Sequence, residues 1–503
     1  MIKKILIANR GEIAVRIIRA CRELSIPTVA AYSSADRTSL HVQLADEAIC
    51  VGPPAPAESY LNVDAIINAA KETGADAIHP GYGFLAENHH FAKRCEDEGI
   101  IFIGPNSTAL RLVGDKLESR ETMESTGIPI IPGMQSSSND LKVFREEAKR
   151  IGYPVLVKAS LGGGGKAMRV VWSEKELNSA IEAGMREAKS AFGDDTIYLE
   201  KYIEQPRHIE FQVLADKHGN AIHLFERECS IQRRHQKIVE ETPSVAIDDN
   251  IRDKMGQTAI KAIKAAGYTN AGTVEFLLDR DGNFYFLEVN ARIQVEHPIT
   301  EFVTGVDLVK QQIRIAAGEK LAIKQADLKQ RGHAIECRIY AEDPAHNFLP
   351  SPGKILFVRE PAGPGIRVDS GIYLGYEVSP YYDPILSKVI AWGEDREAAR
   401  KKMIAALSDY IILGIKTTVD FLRALMMHPE FVAGNTYTSF IADNMKGWRE
   451  SDVGRFLNEA LVAAAIDSYV KVTQKGTAKV LPQRPLSPWQ TLGKWEIASG
   501  SRE

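Results

Sequence analysis

The chain has 503 residues, too many for a single hydrophobic core, and its length predicts two to four domains. Its composition of 44% hydrophobic and 25% charged residues is ordinary for a globular protein, and its net charge of −4 argues against a nucleic-acid partner. No apolar run approaches the roughly 18 residues of a membrane span, and the first residues lack the pattern of a signal peptide. The five cysteines are scattered without CxxC spacing, so we expect reduced thiols and a cytoplasmic protein.

Residues 1 to about 114 alternate short apolar runs with amphipathic helical patterns. This alternation predicts a parallel α/β sheet with ligand loops at the carboxyl ends of its strands. In the loop His79–Phe84, Tyr82 either faces a ligand or belongs to a purely structural turn. The predicted strands are Ile5–Ala8, Thr28–Tyr32, Ala48–Val51, Ala77–His79 and Ile101–Ile103, and the predicted helices are Ile13–Leu24, Val63–Thr73 and Asn88–Glu98.

The region from about 115 to 330 has an α+β character and contains a glycine-rich loop between two strand patterns. The first strand pattern, Tyr153–Ser160, contains Lys158, and the second is Met168–Val171. Between them lie four consecutive glycines, whose N–H groups can surround phosphate oxygens because no Cβ keeps the ligand away. The loop matches neither a Walker A motif nor a dinucleotide fingerprint. It predicts a flap over a triphosphate, with a flexible surface hairpin as the alternative.

Several other polar residues of this region are candidates for the same ligand. Lys116 begins a helical pattern and either reaches a phosphate or is an ordinary surface lysine. The segment Glu200–Ile203 follows an apolar strand, where backbone groups could bond to an adenine edge. His208, Gln232 and His235 lie on neighbouring polar runs and are either ligands or structural hydrogen-bonding residues.

A hairpin is predicted at Asp281–Gly282, because this pair lies between two strand-like runs. If these are the two central turn residues, Glu275 lies directly opposite Glu288. Two opposed carboxylates repel each other unless something binds between them. An all-oxygen ligand set suits Mg²⁺ or Mn²⁺, so the hairpin predicts a metal site. A bulge would shift this register by one residue.

Polar and apolar residues alternate strictly from Glu288 to Glu296. This period of two predicts an extended segment of roughly 26 Å with one polar face. A solvated outer strand face is one interpretation. The neighbouring hairpin favours the other, in which one end holds a metal and the other end holds a small anion and a base.

After about residue 331, β-rich runs and further helical patterns predict a third region, and the tail from about 447 has one helical pattern, Val453–Val470. The tail is either a docking segment or a stabilising helix followed by a frayed end. The predicted elements of the third region are strands at His333–Tyr340, Lys354–Arg359 and Lys388–Trp392 and helices near 396–410 and 417–427.

In their order along the chain, these motifs resemble the biotin carboxylase family of ATP-grasp ligases over roughly residues 1 to 446. The resemblance implies a multidomain α/β and α+β fold with an N-terminal α/β domain, an ATP-grasp domain with a mobile lid, and a C-terminal domain that closes the site. The implied ranges are 1–114, 115–330 with the lid at about 131–203, 331–446, and a helix and extension at 447–503. The motifs are Ile7–Ile13, His79–Phe84, Lys158 with its glycine loop, Ile231–Lys237, Glu288–Pro298 and Gly332–Arg338.

By position, the resemblance also implies a role for each candidate residue. Glu275, Glu288 and Asn290 would bind two Mg²⁺ or Mn²⁺ ions. Glu296 would act as the general base, and Arg338 would face biotin with Tyr82 nearby. The residues implied to bind bicarbonate are Lys237, Arg292, Gln294 and the backbone of Val295. Those implied to bind ATP are Lys116, Lys158, Gly164, Gly165, Glu200, Lys201, Tyr202, Ile203, His208 and His235, and Gln232 is a further cofactor-binding candidate.

The reaction implied by the resemblance is ATP- and bicarbonate-dependent carboxylation of biotin through carboxyphosphate. The chain has no Met-Lys biotinyl-acceptor motif, so we expect biotin on a separate carrier protein and a separate carboxyltransferase subunit. The resemblance further implies a homodimer. It leaves the final acceptor open among acetyl-CoA, propionyl-CoA and pyruvate. Ala167 stands where the family commonly has another glycine. The alternatives are another acyl-phosphate-forming ATP-grasp ligase and a silent nucleotide-binding scaffold.

Overall fold

The computed structural model describes residues 2–134, 138, 140–159, 168–449 and 457–476. Two predicted ligands of the glycine loop, Gly164 and Gly165, lie outside the described residues, as does Ala167. The chain divides into two compact units, Met1–Trp448 and Arg449–Glu503. Within the described part of the second unit, a helix runs from Leu457 to Gly476, in agreement with the predicted tail helix.

The first region is a five-stranded parallel sheet, as predicted, with strand order β3-β2-β1-β4-β5. Its central strand is fully buried, and helices pack on it because their apolar faces match that strand. Its strands are β1 Ile5–Ile7, β2 Thr28–Ser33, β3 Glu47–Gly52, β4 Ala77–His79 and β5 Ile101–Phe102. The helices are α1 Gly11–Glu23, α2 Leu40–Leu44, α3 Val63–Thr73, α4 His89–Asp97, α5 Ser107–Gly114 and α6 Lys116–Ser125, with 3₁₀ turns at Ser34–Asp36 and Pro56–Glu58.

A small three-stranded antiparallel sheet follows, with strand order β7-β6-β8. It packs its own core around Val157 and Leu199, both of which are fully buried. Its elements are α7 Leu141–Ile151, β6 Val155–Ala159, β7 Arg169–Val171, α8 Glu174–Phe192 and β8 Ile197–Lys201.

The next elements span the second and third predicted regions, and eight of their strands build one large sheet. The elements of the second region are β9 Arg207–Ala215, β10 Ala221–Arg233, β11 Gln236–Thr242, α9 Asp249–Ala265, β12 Asn270–Leu278, β13 Phe284–Asn290, α10 His297–Thr304 and α11 Leu308–Ala316, with a 3₁₀ turn at Gln325–Asp327. The strands of the third region are β14 His333–Tyr340, β15 Glu342–Asp343, β16 Leu349–Pro350, β17 Gly353–Lys354, β18 Phe357–Arg359, β19 Ile366–Ser370, β20 Glu377–Val378, β21 Ile385–Gly393 and β22 Ile411–Leu413, with a 3₁₀ turn at Pro344–His346. The pairs β15–β16, β17–β20 and β18–β22 form three separate two-stranded sheets. The accompanying helices are α12 Arg396–Asp409, α13 Val419–Met427, α14 Pro429–Val432 and α15 Phe440–Asn444.

Eight strands form that sheet in the order β13-β12-β9-β10-β11-β14-β21-β19. The pairing of β11 with β14 joins the two regions, so residues from both meet on one continuous surface. The predicted strand Lys354–Arg359 is wrong as a single element, because Ile355 and Leu356 separate β17 from β18 and each pairs elsewhere. No described helix combines the length and apolar character needed to cross a bilayer.

The hairpin β12–β13 places Glu275 opposite Glu288, as predicted, but through a different turn. Asp279 N–H donates to the Asn283 carbonyl at 2.9 Å, so the loop has three residues and the predicted two-residue turn is wrong. The pairs nearest the turn are therefore offset by one residue. A bulge after Glu275 cancels that offset before the two carboxylates are reached.

The predicted nine-residue extended segment is correct only in its first third. The strand ends at Asn290, and the following residues form an irregular turn that enters helix α10 at Glu296. The polar side chains of this segment are not a solvated face, since Asn290, Gln294 and Glu296 are all buried. The chain turns because these polar groups find partners inside the protein rather than in water.

Phe276 packs in the core behind the β12–β13 hairpin, and its loss should destabilise the fold. Its fully buried ring lies edge-on to Phe211, Phe284 and Phe286. We expect Phe276→Ala to lower the free energy of unfolding by about 3–5 kcal/mol, measured by urea unfolding. The exposed Phe357 is the matched control, and Phe357→Ala should change this free energy by less than about 1 kcal/mol. Equal losses in both variants would contradict this account of the core.

Candidate active site

A cavity of about 650 Å³ is bordered by loops of the parallel sheet, by the three-stranded sheet and by the eight-stranded sheet. It collects most of the candidates predicted from sequence. Glu296 is buried next to it. The predicted residues that line the cavity are Tyr82, Lys116, Lys158, Glu200, Lys201, Tyr202, Ile203, His208, Gln232, His235, Lys237, Glu275, Glu288, Asn290, Arg292, Gln294, Val295 and Arg338.

Lys237 is the centre of the cation–carboxylate network. Its ammonium lies 2.7 Å from Glu275 Oε1 and 2.7 Å from Glu296 Oε1, and it also donates to Glu210. Burial opposes the charged lysine, but the three carboxylates outweigh burial and raise its pKa well above the ordinary value. Glu210 is completely buried and also accepts a 2.5 Å hydrogen bond from Arg227 Nε.

Glu296 is held in the ionised form by its neighbours. Burial alone would raise its pKa, yet Lys237, Arg338 and Arg227 lower the pKa well below the ordinary value. Arg338 Nη2 lies 2.9 Å from Glu296 Oε2. The carboxylate is therefore ionised at neutral pH, the state that a proton acceptor requires.

Arg338 has a second carboxylate partner, Glu240, that sequence reasoning did not identify. Arg338 Nε donates to Glu240 Oε1 at 2.7 Å, and Nη2 lies 2.5 Å from the same oxygen. Burial raises the pKa of Glu240 to about 7, against the opposing influence of Arg338. The guanidinium is thus fixed between Glu240 and Glu296 with one edge towards the cavity.

The two opposed carboxylates of the hairpin have unequal surroundings. Lys237 balances the charge of Glu275, and His208 Nε2 lies 3.0 Å from Glu275 Oε2. Gln232 in turn lies 2.8 Å from His208 Nδ1. Burial opposes ionisation of Glu275, but Lys237 and His208 bring its pKa below the ordinary value.

Glu288 is the less compensated carboxylate of that pair. Among the residues that the structure describes, none donates a hydrogen bond to its carboxylate, and burial together with Glu275 raises its pKa, against the opposing charge of Lys116. Asn290 Oδ1 accepts from Arg292 Nη2 at 3.0 Å, while its buried Nδ2 has no partner in the described part of the chain. An under-compensated carboxylate beside a second carboxylate and an amide oxygen is a donor set that fits Mg²⁺ or Mn²⁺.

Arg292 is aligned by four oxygen acceptors. Its Nε donates to Glu87 at 3.0 Å, Nη1 donates to Gln294 Oε1 at 2.9 Å and to the Ile293 carbonyl at 3.3 Å, and Nη2 donates to Asn290. Glu87 also accepts the Ala291 N–H at 3.0 Å, so it fixes both backbone and side chain of this turn. A guanidinium supported in this way can bind a small anion through its remaining Nη2 N–H.

Two lysines at the other end of the cavity form a second cationic group. Lys158 donates to Glu200 Oε2 at 2.8 Å, and Arg120 donates to Glu200 Oε1 at 2.7 Å. The Glu200 side chain therefore orients Lys158. Lys116 lies nearby, and burial together with the positive charge of Lys158 lowers its pKa, against the opposing effect of Glu288. Neighbouring cations of this kind are suited to phosphate oxygens.

The segment 200–203 borders the cavity. The N–H groups of Lys201 and Tyr202 are already used by the Pro132 and Pro154 carbonyls. The Lys201 ammonium donates away from the cavity, to the carbonyls of Gly152 and Tyr153. In the described part of the chain, the Ile203 N–H has no backbone acceptor and remains available.

Two predicted residues occupy special positions at the cavity edge. His235 lies in the turn between β10 and β11, where it and Arg234 have φ values of +66° and +50°. Burial and then the charge of Lys158 lower the pKa of His235. Tyr82 donates a short hydrogen bond to Glu12, whose carboxylate is buried at the start of helix α1.

Sequence reasoning missed Glu87, Glu210 and Glu240, the carboxylates that support predicted cations. It also missed Glu12, which accepts the Tyr82 hydroxyl. Glu210 could have been found, because His208, Glu210 and Gln212 alternate along β9 and point to one face. The others come from elements whose adjacency depends on the sheet order.

Family models match three consecutive parts of the chain. Residues 1–110 match the biotin carboxylase N-terminal domain, residues 115–324 match the carbamoyl-phosphate synthase L chain ATP binding domain, and residues 336–443 match the biotin carboxylase C-terminal domain. A pyruvate carboxylase subunit of Methanothermobacter thermautotrophicus is 55% identical over 447 residues, 89% of this chain and 91% of that protein. Biotin carboxylase of Nostoc sp. is 55% identical over 88% of this chain and 99% of that protein.

A solved structure has the same fold. The biotin carboxylase domain dimer of Hydrogenobacter thermophilus 2-oxoglutarate carboxylase, in complex with MgADP, ADP and bicarbonate, has a TM-score of 0.86 and 50% identity, covering 90% of this chain and 99% of that one. The fold and the matched central domain define an ATP-grasp protein with a nucleotide-sized cavity. With both flanking domains matched as well, the chain belongs to the biotin carboxylase family.

Removing the Lys237 charge should destabilise the protein in a pH-dependent manner. We expect Lys237→Met to lower the free energy of unfolding at pH 8 by about 3–5 kcal/mol, because buried carboxylates lose their shared cation. In wild type, the pKa values of Glu275 and Glu296 are lower in the folded protein than in the unfolded chain. These two carboxylates therefore stabilise the fold at pH values above their ordinary pKa, and this stabilisation is lost as the pH falls through their folded-state pKa values. In the variant, burial raises those pKa values, so protonation relieves the defect and the loss shrinks towards pH 5.5.

Urea unfolding at pH 8 and pH 5.5 measures this difference. Lys401→Met is the control, because Lys401 is 70% exposed and lies 3.4 Å from Glu397 on the surface of α12. Its loss should stay below about 0.5 kcal/mol at both pH values. A loss in Lys237→Met that is the same at both pH values would contradict the assigned network.

Proposed function

We propose that this chain is a biotin carboxylase that uses ATP and bicarbonate to carboxylate biotin on a separate carrier protein. The observation that carries the proposal is that two arginines and a lysine line one cavity, with an ionised carboxylate buried beside it and bonded to two of them: Arg292, Arg338, Lys237 and Glu296. Two anions must react in such a site, and fixed cations offset their repulsion. The family match and the bicarbonate reported with the Hydrogenobacter domain support the same chemistry.

For ATP, we propose that Lys116 and Lys158 bind phosphate oxygens and that the free N–H of Ile203 binds the adenine edge. Glu200 orients Lys158 by its ion pair, which leaves the lysine's remaining N–H groups for the phosphates. His208, Gln232 and His235 border the same end of the cavity. Gly164 and Gly165 complete the predicted set of ATP-binding residues.

For the metal, we propose Glu275, Glu288 and Asn290 as the ligands of Mg²⁺ or Mn²⁺, with room for two ions. When bound, the metal neutralises phosphate charge and polarises the γ-phosphoryl group. Glu288 is the principal ligand, because it is the carboxylate without a donor among the described residues. Asn290 contributes its amide oxygen, which Arg292 already orients.

For bicarbonate, we propose a subsite formed by Arg292, Gln294, Lys237 and the backbone of Val295. Glu296 accepts the bicarbonate proton as an oxygen of bicarbonate attacks the γ-phosphorus, and ADP leaves. The carboxyphosphate produced breaks into CO₂ and phosphate, and the phosphate removes the N1 proton of biotin. Biotin N1 then attacks CO₂, while Arg338 stabilises the negative ureido oxygen. Tyr82 lies at this end of the cavity.

The partners follow from this half-reaction. As partners, we propose a biotin carboxyl carrier protein and a carboxyltransferase subunit. We also propose that the chain forms a homodimer, like the dimer reported for the Hydrogenobacter domain. We propose a cytoplasmic location. The final acceptor can be acetyl-CoA, propionyl-CoA or pyruvate, because relatives of pyruvate carboxylase type and of biotin carboxylase type are equally similar, at 55% identity over 89% and 88% of this chain. The four domain ranges, including the lid at about 131–203, stay predictions.

Replacing the base tests the central step. We expect wild type to release ADP only with bicarbonate and faster with biotin, and Glu296→Gln to lower kcat by about 100-fold or more with ATP affinity unchanged. The exposed Glu397→Gln should match wild type. ATP turnover that ignores bicarbonate would refute the proposed function. Phosphorylation of an acid other than bicarbonate would indicate another ATP-grasp ligase, and the absence of any turnover would indicate a scaffold.

Replacing the principal ligand tests the metal assignment independently of turnover. We expect Glu288→Gln to weaken Mn²⁺ binding in the presence of ADP by at least about 10-fold, measured by electron paramagnetic resonance of free Mn²⁺. Glu319→Gln is the control, because Glu319 is exposed on the surface. Mn²⁺ binding that is equal in both variants would contradict Glu288 as a ligand.

A further inference from the structure

Lys388 is a completely buried lysine that lies behind the cavity wall. It is in strand β21, directly opposite Arg338 in β14. Its ammonium lies 2.5 Å from the Val295 carbonyl oxygen, 3.4 Å from Glu12 Oε1 and 3.9 Å from Asp369 Oδ2. Lys388 is not among the residues that line the cavity.

The charges around Lys388 make Glu12 its principal counter-ion. Asp369 is already bound by both arms of Arg367, at 2.9 and 2.7 Å. Glu12 also accepts the hydroxyl of Tyr82, and its second oxygen is buried without a hydrogen-bond partner among the described residues. A buried ammonium is costly unless its charge is balanced and its N–H groups have acceptors. Here the Glu12 carboxylate balances the charge, and the Val295 carbonyl accepts a hydrogen bond.

The bonded carbonyl belongs to the turn that carries the proposed base. His297 Nδ1 donates to the Gln294 carbonyl at 2.7 Å, and Lys388 donates to the next carbonyl, that of Val295. In a trans peptide the N–H points opposite to the carbonyl. These two bonds therefore set the directions of the Val295 and Glu296 N–H groups, which are the backbone donors that this turn offers to an anion.

We propose that Lys388 is a positioning residue for the bicarbonate subsite. It fixes the Val295–Glu296 peptide through the Val295 carbonyl, and through Glu12 it fixes the Tyr82 hydroxyl at the biotin end of the cavity. Lys388 thus sets the distance between the bicarbonate subsite and the biotin end of the cavity. The inference rests on the proposed function, because it assigns bicarbonate to this turn.

Kinetics of Lys388→Met test this role. Methionine has a similar length but has neither charge nor N–H donor, so the peptide loses its fixed orientation. In bicarbonate-dependent ADP release, we expect the KM for bicarbonate to rise at least about 10-fold. The KM for ATP should change by less than about 2-fold, because the ATP lysines contact other elements. General misfolding would not separate the two constants.

Lys402→Met is the matched control. Lys402 also donates to a backbone carbonyl, that of Trp392 at 3.0 Å, but it lies away from the cavity. We expect this variant to keep wild-type constants for both substrates. If Lys388→Met has the same constants as Lys402→Met, the positioning role is refuted.

A double variant separates positioning from simple charge balance. Lys388→Met alone leaves Glu12 buried without its counter-ion, whereas Lys388→Met with Glu12→Gln removes both charges of this pair. We expect the double variant to recover thermal stability and to retain the raised KM for bicarbonate. Recovery of the bicarbonate KM together with stability would refute the inference, even if the single variant fails to fold.

The wild-type measurement distinguishes the two levels of proposal. If wild type shows no bicarbonate dependence, the proposed function fails and Lys388 loses its assigned role with it. If wild type depends on bicarbonate and Lys388→Met keeps the wild-type bicarbonate KM, only the inference about Lys388 fails.

Discussion

Three buried carboxylates, those of Glu210, Glu275 and Glu296, converge on the ammonium of Lys237, and the geometry of the cavity depends on this convergence. The residues come from β9, β12, the turn before α10 and β11, which are distant in sequence. In a medium of low dielectric constant, none of these charges is tolerable alone. The elements must therefore pack so that the charges meet, and the same packing determines where a substrate anion can lie.

Short-range sequence patterns were sufficient to predict elements whose contacts lie close together along the chain. The alternation of apolar runs and amphipathic helices predicted the parallel sheet, and its five strands lie within one or two residues of their expected limits. At the hairpin, the pairing of Glu275 with Glu288 was predicted from a two-residue turn, whereas the structure has a three-residue loop. The register agreed because a bulge compensates for the longer loop, and no property of the sequence revealed either deviation.

Non-local adjacency was beyond the sequence. Glu240 meets Arg338 because β11 pairs with β14, and Lys388 lies opposite Arg338 because β14 pairs with β21. No spacing along the chain encodes that strand order. The strict alternation from Glu288 onward gave a wrong prediction. It predicted an extended strand to Glu296, whereas the strand ends at Asn290 and the chain turns into α10. Family resemblance supplied candidate residues, but their supporting ion pairs required coordinates.

The network also constrains how substrates can enter. Both oxygens of Glu296 already lie beside the internal cations Lys237 and Arg338, and both oxygens of Glu275 lie beside Lys237 and His208. An arriving anion cannot add to this balanced set, so it must exchange with one of its members. Lys237 is suited to this exchange, because its flexible ammonium has three carboxylate partners and can give up one without becoming unpaired. Arg338 is less free, because Glu240 binds it from behind. We therefore expect the Lys237 ammonium to change its position when substrates bind, while the Arg338 guanidinium keeps its position.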